Sequence, residues 1–189
     1  MDKGRLEAFS DGVLAILLTI MVLDFKIPHD VGLGALLALW PVFLSYLLSF
    51  LYLAIYWNNH HHLFQAVRHV NGATLWANMH LLFWLSLLPF VTAWSGQNDF
   101  AELPVALYGI VLFLAAIAYY ILAHELVASH GPDSTLSKSL GYDIKGKISV
   151  VLYAFGIGAS FYSPMSAFSI YVLVALMWVV PDRRIEENV

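Results

Sequence analysis

The chain has 189 residues, a net charge of −4, and a composition that is 60% hydrophobic but only 12% charged. Soluble domains average about 45–50% apolar and about 25% charged residues, so these values exclude a soluble globular enzyme, a disordered chain and a nucleic-acid binder. Cysteine is absent, which removes disulfides, thiolate zinc sites and thiol nucleophiles. An integral membrane protein is left.

A helix needs roughly 20 mostly apolar residues to cross the hydrocarbon core, and six stretches qualify as candidates. The first runs from about Leu6 to Leu23, the second from about Gly34 to Trp57, and the third from about Ala73 to Trp94. The fourth covers about Leu103 to Leu126, the fifth about Ile148 to Tyr162, and the sixth about Met165 to Val180. Pro28, Asn71-Gly72, the run Ser95 to Asp99, Gly131-Pro132 and Ser163-Pro164 punctuate them. The expected fold is therefore all-α: one six-helix transmembrane unit over residues 1–189, with no room for a soluble domain.

Lysine and arginine placement orients such a chain. With six spans, one side holds both termini and the loops after the second and fourth spans. That side carries Lys3, Arg5, Arg68, Lys138, Lys145, Lys147, Arg183 and Arg184, eight of the nine basic residues, and only Lys26 falls opposite. Cytoplasmic N- and C-termini follow. The first span is expected to be retained rather than cleaved as a signal peptide. Glu7, Ser10 and Asp11 interrupt its apolar run, and no small-residue cleavage site follows Leu23.

The first span is also the odd one. Its uninterrupted apolar stretch, Gly12 to Leu23, is 12 residues long, and its first turns hold Arg5, Glu7, Ser10 and Asp11. Ionisable groups at membrane depth cost about 2.5–3.5 kcal/mol each on insertion scales and normally face protein or water. At about 100° per residue, Gly12, Ile16, Thr19 and Leu23 share one stripe with Ile20 beside it, and Asp11 lies about 140° from Ile16. Spacing alone leaves two readings open: a stripe that packs into a bundle core, or one that lines a central axis while Asp11 accepts a hydrogen bond from a neighbouring helix.

The run Arg5-Leu6-Glu7-Ala8-Phe9-Ser10-Asp11-Gly12-Val13 resembles the signature of the bacterial relatives of the lysosomal potassium channel called transmembrane protein 175: Arg, three residues, then Phe-Ser-Asp. Ala15-Ile16, Thr19-Ile20 and Leu23 resemble the same helix further on. Trp57, His61, Leu63-Phe64, Asn78 and Leu88-Pro89-Phe90 agree with later parts of that family. The resemblance implies a potassium-selective cation channel and not an enzyme: a multi-pass homotetramer in a bacterial plasma membrane. Four first helices would surround the pore, and monovalent cations, K+ above all, would be the permeant species, with no cofactor. It also implies roles. Ile16 would form the narrowest constriction, with Leu23 as a second apolar layer and Ile20 alongside. Thr19 would offer hydroxyl oxygens for selection. Arg5, Phe9, Ser10 and Asp11 would brace the pore helix.

Four copies of Ile16 can close a pore by dewetting, and four Thr19 hydroxyls can replace part of a hydration shell. No Thr-Val-Gly-Tyr-Gly filter is present, and Leu140-Gly141-Tyr142-Asp143 lies in a polar loop. Moderate potassium preference is therefore expected. No span carries an Arg or Lys ladder, which argues against a voltage sensor.

His60-His61-His62, with His69 and His80 nearby, invites a metal-site reading. Adjacent histidines on a helix point in different directions, and no His pair at four-residue spacing has an acidic partner, so no metal is assigned. His61 and His80 are instead expected to hydrogen-bond the polar cluster of the first span. Asn78, inside a span, needs a partner, which Arg5, Ser10 or Asp11 can supply. Trp40, Trp57, Trp94 and Trp178 read as interfacial anchors. Gly156, Gly158 and Ala159 read as a close-packing surface. The rivals to a channel are a proton-coupled transporter with Asp11 as relay and a membrane metalloenzyme built on the histidine cluster.

Overall fold

A computed structural model describes residues 3–131 and 143–179, and among these every regular element is helical. Helix α1 (Lys3–Ile20) starts a turn before the apolar run and closes in a 3₁₀ turn, Met21–Asp24. Such tightening satisfies carbonyls that a helix end leaves open. The chain becomes extended at Phe25, whose ring meets Phe43 and Tyr46 edge-on at 6.5 and 5.3 Å.

The second predicted span is both divided and displaced. Leu33–Leu37 forms a short helix, α2, and a long helix, α3 (Trp40–Gln65), follows. Pro41 sits in the first turn of α3, where its missing N–H costs nothing. At the other end, the polar run Asn58 to His62 does not stop the helix as the sequence suggested. Lys3 Nζ donates to the carbonyls of Phe64 and Val67, at 2.8 and 3.0 Å, and so closes the C-terminus of α3.

The third predicted span is two helices, α4 (Gly72–Ser86) and α5 (Leu88–Gln97). Pro89 has no N–H for the Leu85 carbonyl and its ring crowds that group, so the ladder breaks at Leu87. Asn71 Oδ1 caps α4 by accepting from the Thr74 N–H at 2.7 Å. Gly96, expected in a loop, lies inside α5. A Cβ there would stand 2.8 Å from the Val42 Cα, so only glycine lets α5 lie this close to α3. The turn that follows puts Asp99 and Phe100 at positive φ, 48° and 56°. That is an unfavourable region for a bulky residue. Burial of the Phe100 ring, with centroids 4.6 Å from Phe168 and 5.8 Å from Trp40, offsets the cost.

Helix α6 (Glu102–His130) is the longest described element at 29 residues, and α4, α5, α7 (Ile144–Ser160) and α8 (Pro164–Val179) all pack against it. Gly109 of α6 and Gly156 of α7 leave the space that the buried Tyr171 ring of α8 occupies. Gly158, assigned to the same packing surface from sequence, faces open space. The Ser49 hydroxyl meets Thr92 Oγ1 at 2.6 Å and Tyr108 Oη at 2.8 Å, which ties α3, α5 and α6 together inside the bundle. Polar contacts of this kind hold helices where burial in lipid supplies no driving force.

Among the described residues, four stretches are long and apolar enough to cross a membrane: Lys3–Asp24, Trp40–Gln65, Gly72–Gln97 and Glu102–His130. Helices α7 and α8 are shorter, with 17 and 16 residues. Lys138, the stretch Leu140 to Tyr142, Val180, Arg183 and Arg184 lie outside the described residues.

Candidate functional site

Helix α1 has two unlike faces. Leu6, Ser10, Leu14, Leu17 and Met21 recur at steps of four and three, and all are buried against α3, α4 and α5. The other face carries the stripe Gly12, Ile16, Thr19 and Leu23, and all four are exposed in the single chain, as is Ile20. Ile16 is 62% and Leu23 77% exposed, and nothing lies within 4 Å of where a Gly12 Cβ would stand. The stripe is therefore not packed within the chain. Its Thr19 hydroxyl donates inside its own helix, with the Ala15 and Ile16 carbonyls 3.1 and 3.0 Å away. The hydrogen is thus spent on the backbone, and the oxygen lone pairs are what the residue presents outward.

The buried face is fixed by a chain of polar contacts across three helices. Ser10 Oγ donates to the Leu6 carbonyl at 2.9 Å. Asn78 Nδ2, from α4, donates to Ser10 Oγ at 2.9 Å. With its amide nitrogen engaged there, Asn78 can only accept through Oδ1, so His60 Nε2 of α3 is the donor across their 2.8 Å contact. Ser10, Asn78 and His60 are all buried. The Asp11 carboxylate points away from the stripe, and its Oδ1 accepts from Trp57 Nε1 at 3.0 Å. Trp57 lies within α3, so it is a partner of α1 rather than an anchor at a helix end.

The other residues expected to brace α1 are placed differently. Arg5 and Phe9 are exposed, and the Arg5 side chain makes no hydrogen bond among the described residues. His80 is exposed on α4, and its Nε2 accepts from Trp84 Nε1 at 2.9 Å, so it takes no part in the cluster. His61 pairs with Gln65 at 2.8 Å and stacks on Trp57. The histidine that joins the Ser10–Asn78 contact is His60, which sequence reasoning missed. A signal existed: Tyr52, Tyr56, His60 and Phe64 form an i, i+4 row along α3, and all four are buried. Among the described residues, no three His, Asp or Glu side chains come together as a metal-binding group.

Basic residues lie at several of the described helix ends. Lys3 lies against the end of α3, and the Arg68 N–H donates at 3.0 Å to His130 Nε2 at the end of α6. Lys145 Nζ, in the first turn of α7, is 6.0 Å over the Trp178 ring near the end of α8.

Several known proteins similar to this chain in sequence or fold are named as channels. The family model described as endosomal/lysosomal potassium channel TMEM175 matches residues 5–89. A potassium channel of Chryseobacterium sp. (strain P1-3) is 53% identical over 188 residues, which span 100% of this chain and 98% of that protein. The endosomal/lysosomal proton channel TMEM175 of Homo sapiens is 33% identical over 172 residues, 82% of this chain but 33% of that longer protein. The crystal structure of a lysosomal potassium-selective channel TMEM175 homolog from Chamaesiphon minutus superposes with a TM-score of 0.81 at 30% identity, covering 95% of this chain and 97% of that one.

Proposed function

Because the chain belongs to the TMEM175 family of endosomal/lysosomal potassium channels, we propose that it is a potassium-selective cation channel of a bacterial plasma membrane. The observation that carries this reading is the exposed stripe on α1. Its apolar and hydroxyl side chains stand outside the single chain, while the opposite face of the same helix is bound by buried hydrogen bonds. One such helix per chain makes a closed path only when several copies surround an axis, and a homotetramer of six-span subunits does this.

In that assembly residues 1–189 form one channel subunit, with α7 and α8 as the fifth and sixth spans and both termini in the cytoplasm. The gathering of Lys3, Arg68 and Lys145 at helix ends supports the orientation. Ile16, with Ile20 and Leu23 toward the end of the helix, forms an apolar constriction that closes by dewetting. Thr19 stands one turn from Ile16, and its outward oxygen replaces part of the hydration shell of K+. A ring of hydroxyls is a weaker filter than stacked carbonyls, so the preference for K+ over Na+ is moderate. Ser10, Asn78 and Asp11 hold the rotation of α1. The carboxylate of Asp11, engaged by Trp57, supports bracing over a role as proton relay.

Reconstitution into liposomes under a K+/Na+ gradient tests the reading. Currents reversing toward the K+ equilibrium potential, with conductance altered in Ile16→Asn, are expected. No current from an intact tetramer overturns the channel, and a reversal potential that follows the pH gradient alone restores Asp11 as a relay.

A further inference from the structure

A cavity of about 430 Å³ opens between α3, α6 and α7, and no residue of α1 lines it. Its size falls within the range of small-ligand pockets, about 300–1,000 Å³. Helix α7 packs on α6 and α8 but scarcely touches α3, and the cavity is the gap this leaves. Tyr52 and Tyr56 of α3, Ala116 and Tyr119 of α6, and Val150 and Tyr153 of α7 make an apolar, ring-lined wall.

Two features distinguish this space from a packing fault. The first is Tyr56, which lines the cavity at only 9% exposure and has no hydrogen-bond partner for its hydroxyl among the described residues. Neighbouring phenols are engaged: Tyr52 Oη donates to the Tyr171 carbonyl at 2.6 Å, and Tyr119 Oη to the Asn59 carbonyl at 3.3 Å. The Tyr56 hydroxyl is not among the fully enclosed polar atoms, so it reaches the cavity and is available to donate to a polar atom of a guest. The second is the distribution of charge. Polar lining is contributed by Asn59 near the end of α3 and by Asp143, Gly146 and Lys147 at the start of α7. The Asp143 carboxylate is spent as the cap of α7, accepting the Gly146 N–H at 2.8 Å. Lys147 is exposed at the mouth, while the N-terminal end of α7 is already answered by the Asp143 carboxylate. The cavity is thus apolar along its length, and Lys147 is the cation at its mouth.

We propose that this cavity binds an acyl chain carrying an anionic head, with the chain along the tyrosine wall and the head at Lys147. The Tyr56 hydroxyl donates to the ester or carboxyl oxygen joining the two. Basic pockets between helices at the cytoplasmic side of membrane proteins bind anionic lipid heads in this way. The chemistry is shared by a phospholipid of the surrounding leaflet and by a free fatty acid. Binding here depends on neither the pore nor the ion conducted, so its failure is separate from that of the channel reading.

The test is lipid retention by the purified full chain, counted by native mass spectrometry after exposure to equimolar phosphatidylglycerol and phosphatidylcholine of the same chains, with oleate added in a second arm. Retention of phosphatidylglycerol over phosphatidylcholine is expected, lost in Lys147→Glu and in Ala116→Trp, which fills the cavity. Tyr56→Phe should weaken retention about fivefold, the value of one hydrogen bond. Displacement of phosphatidylglycerol by oleate identifies the free acid as the guest, and persistence of phosphatidylglycerol identifies the phospholipid. Equal retention of both lipids by the unaltered chain overturns the proposal, and so does a preference that survives Lys147→Glu. Lys147 is exposed and its replacement leaves the packing intact, so the result stands even if Ala116→Trp does not fold.

Discussion

The layer formed by α6, α7 and α8 keeps its helices together through missing atoms, and α1 is kept in place through added ones. Around Tyr171, two glycines on two different helices make room for one ring, and little of the contact is polar. Along α1, a serine, an asparagine and a histidine from three helices meet end to end, and a second bond joins Asp11 to Trp57. Shape holds the first region and direction holds the second. Close packing resists any shift but says little about rotation. Hydrogen bonds specify the rotation of a helix whose other side has nothing to lean on within the chain. A helix with one committed and one uncommitted face needs the second kind of restraint, and the scaffold behind it needs the first.

The contrast can be broken at its strongest point with Gly109→Ala. The added methyl runs into the Tyr171 hydroxyl, and Tyr171 cannot retreat because its ring already fills the space left by Gly156. A loss of about 2–3 kcal/mol is expected, read as a lower unfolding midpoint of the purified chain. Asn78→Ala comes next. It strands the buried His60 N–H and removes the hydrogen that Ser10 accepts, and should cost about 2 kcal/mol in the same measurement, with increased hydrogen exchange confined to the first half of α1. Trp57→Phe removes only the bond to Asp11 and should cost about 1 kcal/mol. Thr19→Ala, on the exposed stripe, should leave the midpoint unchanged within about 0.5 kcal/mol yet lower the K+/Na+ permeability ratio in liposomes. If Thr19→Ala instead destabilises the chain as Asn78→Ala does, the two faces of α1 are not different in kind.

The sequence was most informative where chemistry is scarce. Asn78 stands out in an apolar span and needed a partner, and Ser10 proved to be it. The polar start of the first helix marked it as unlike the others, and the stripe from Gly12 to Leu23 was legible from 3.6-residue periodicity alone. His60 was hidden because three adjacent histidines look alike in sequence, and only the rotation of α3 decides which one turns inward. His80 was misassigned for a related reason. Two residues from Asn78 on a helix is about 200° around the axis, so both cannot face α1. Helix limits were less legible where long-range contacts set them. Lys3 extends α3 to Gln65 from more than 60 residues away, and no local signal near His62 reports that. The cavity beside Tyr56 was invisible, since it is a gap between helices and not a pattern within one.

The hydrogen-bonded row behind α1 has one further property, which follows from the direction of its bonds. His60 gives its hydrogen to Asn78, Asn78 gives one to Ser10, and Ser10 gives one to the Leu6 carbonyl. All three point the same way and end on a peptide oxygen. A proton wire needs links that can accept on one side while releasing on the other, and an amide NH₂ holds its hydrogens far too tightly for that. The row therefore insulates. It fixes the helix, and the row itself is not a path along which a proton can be relayed.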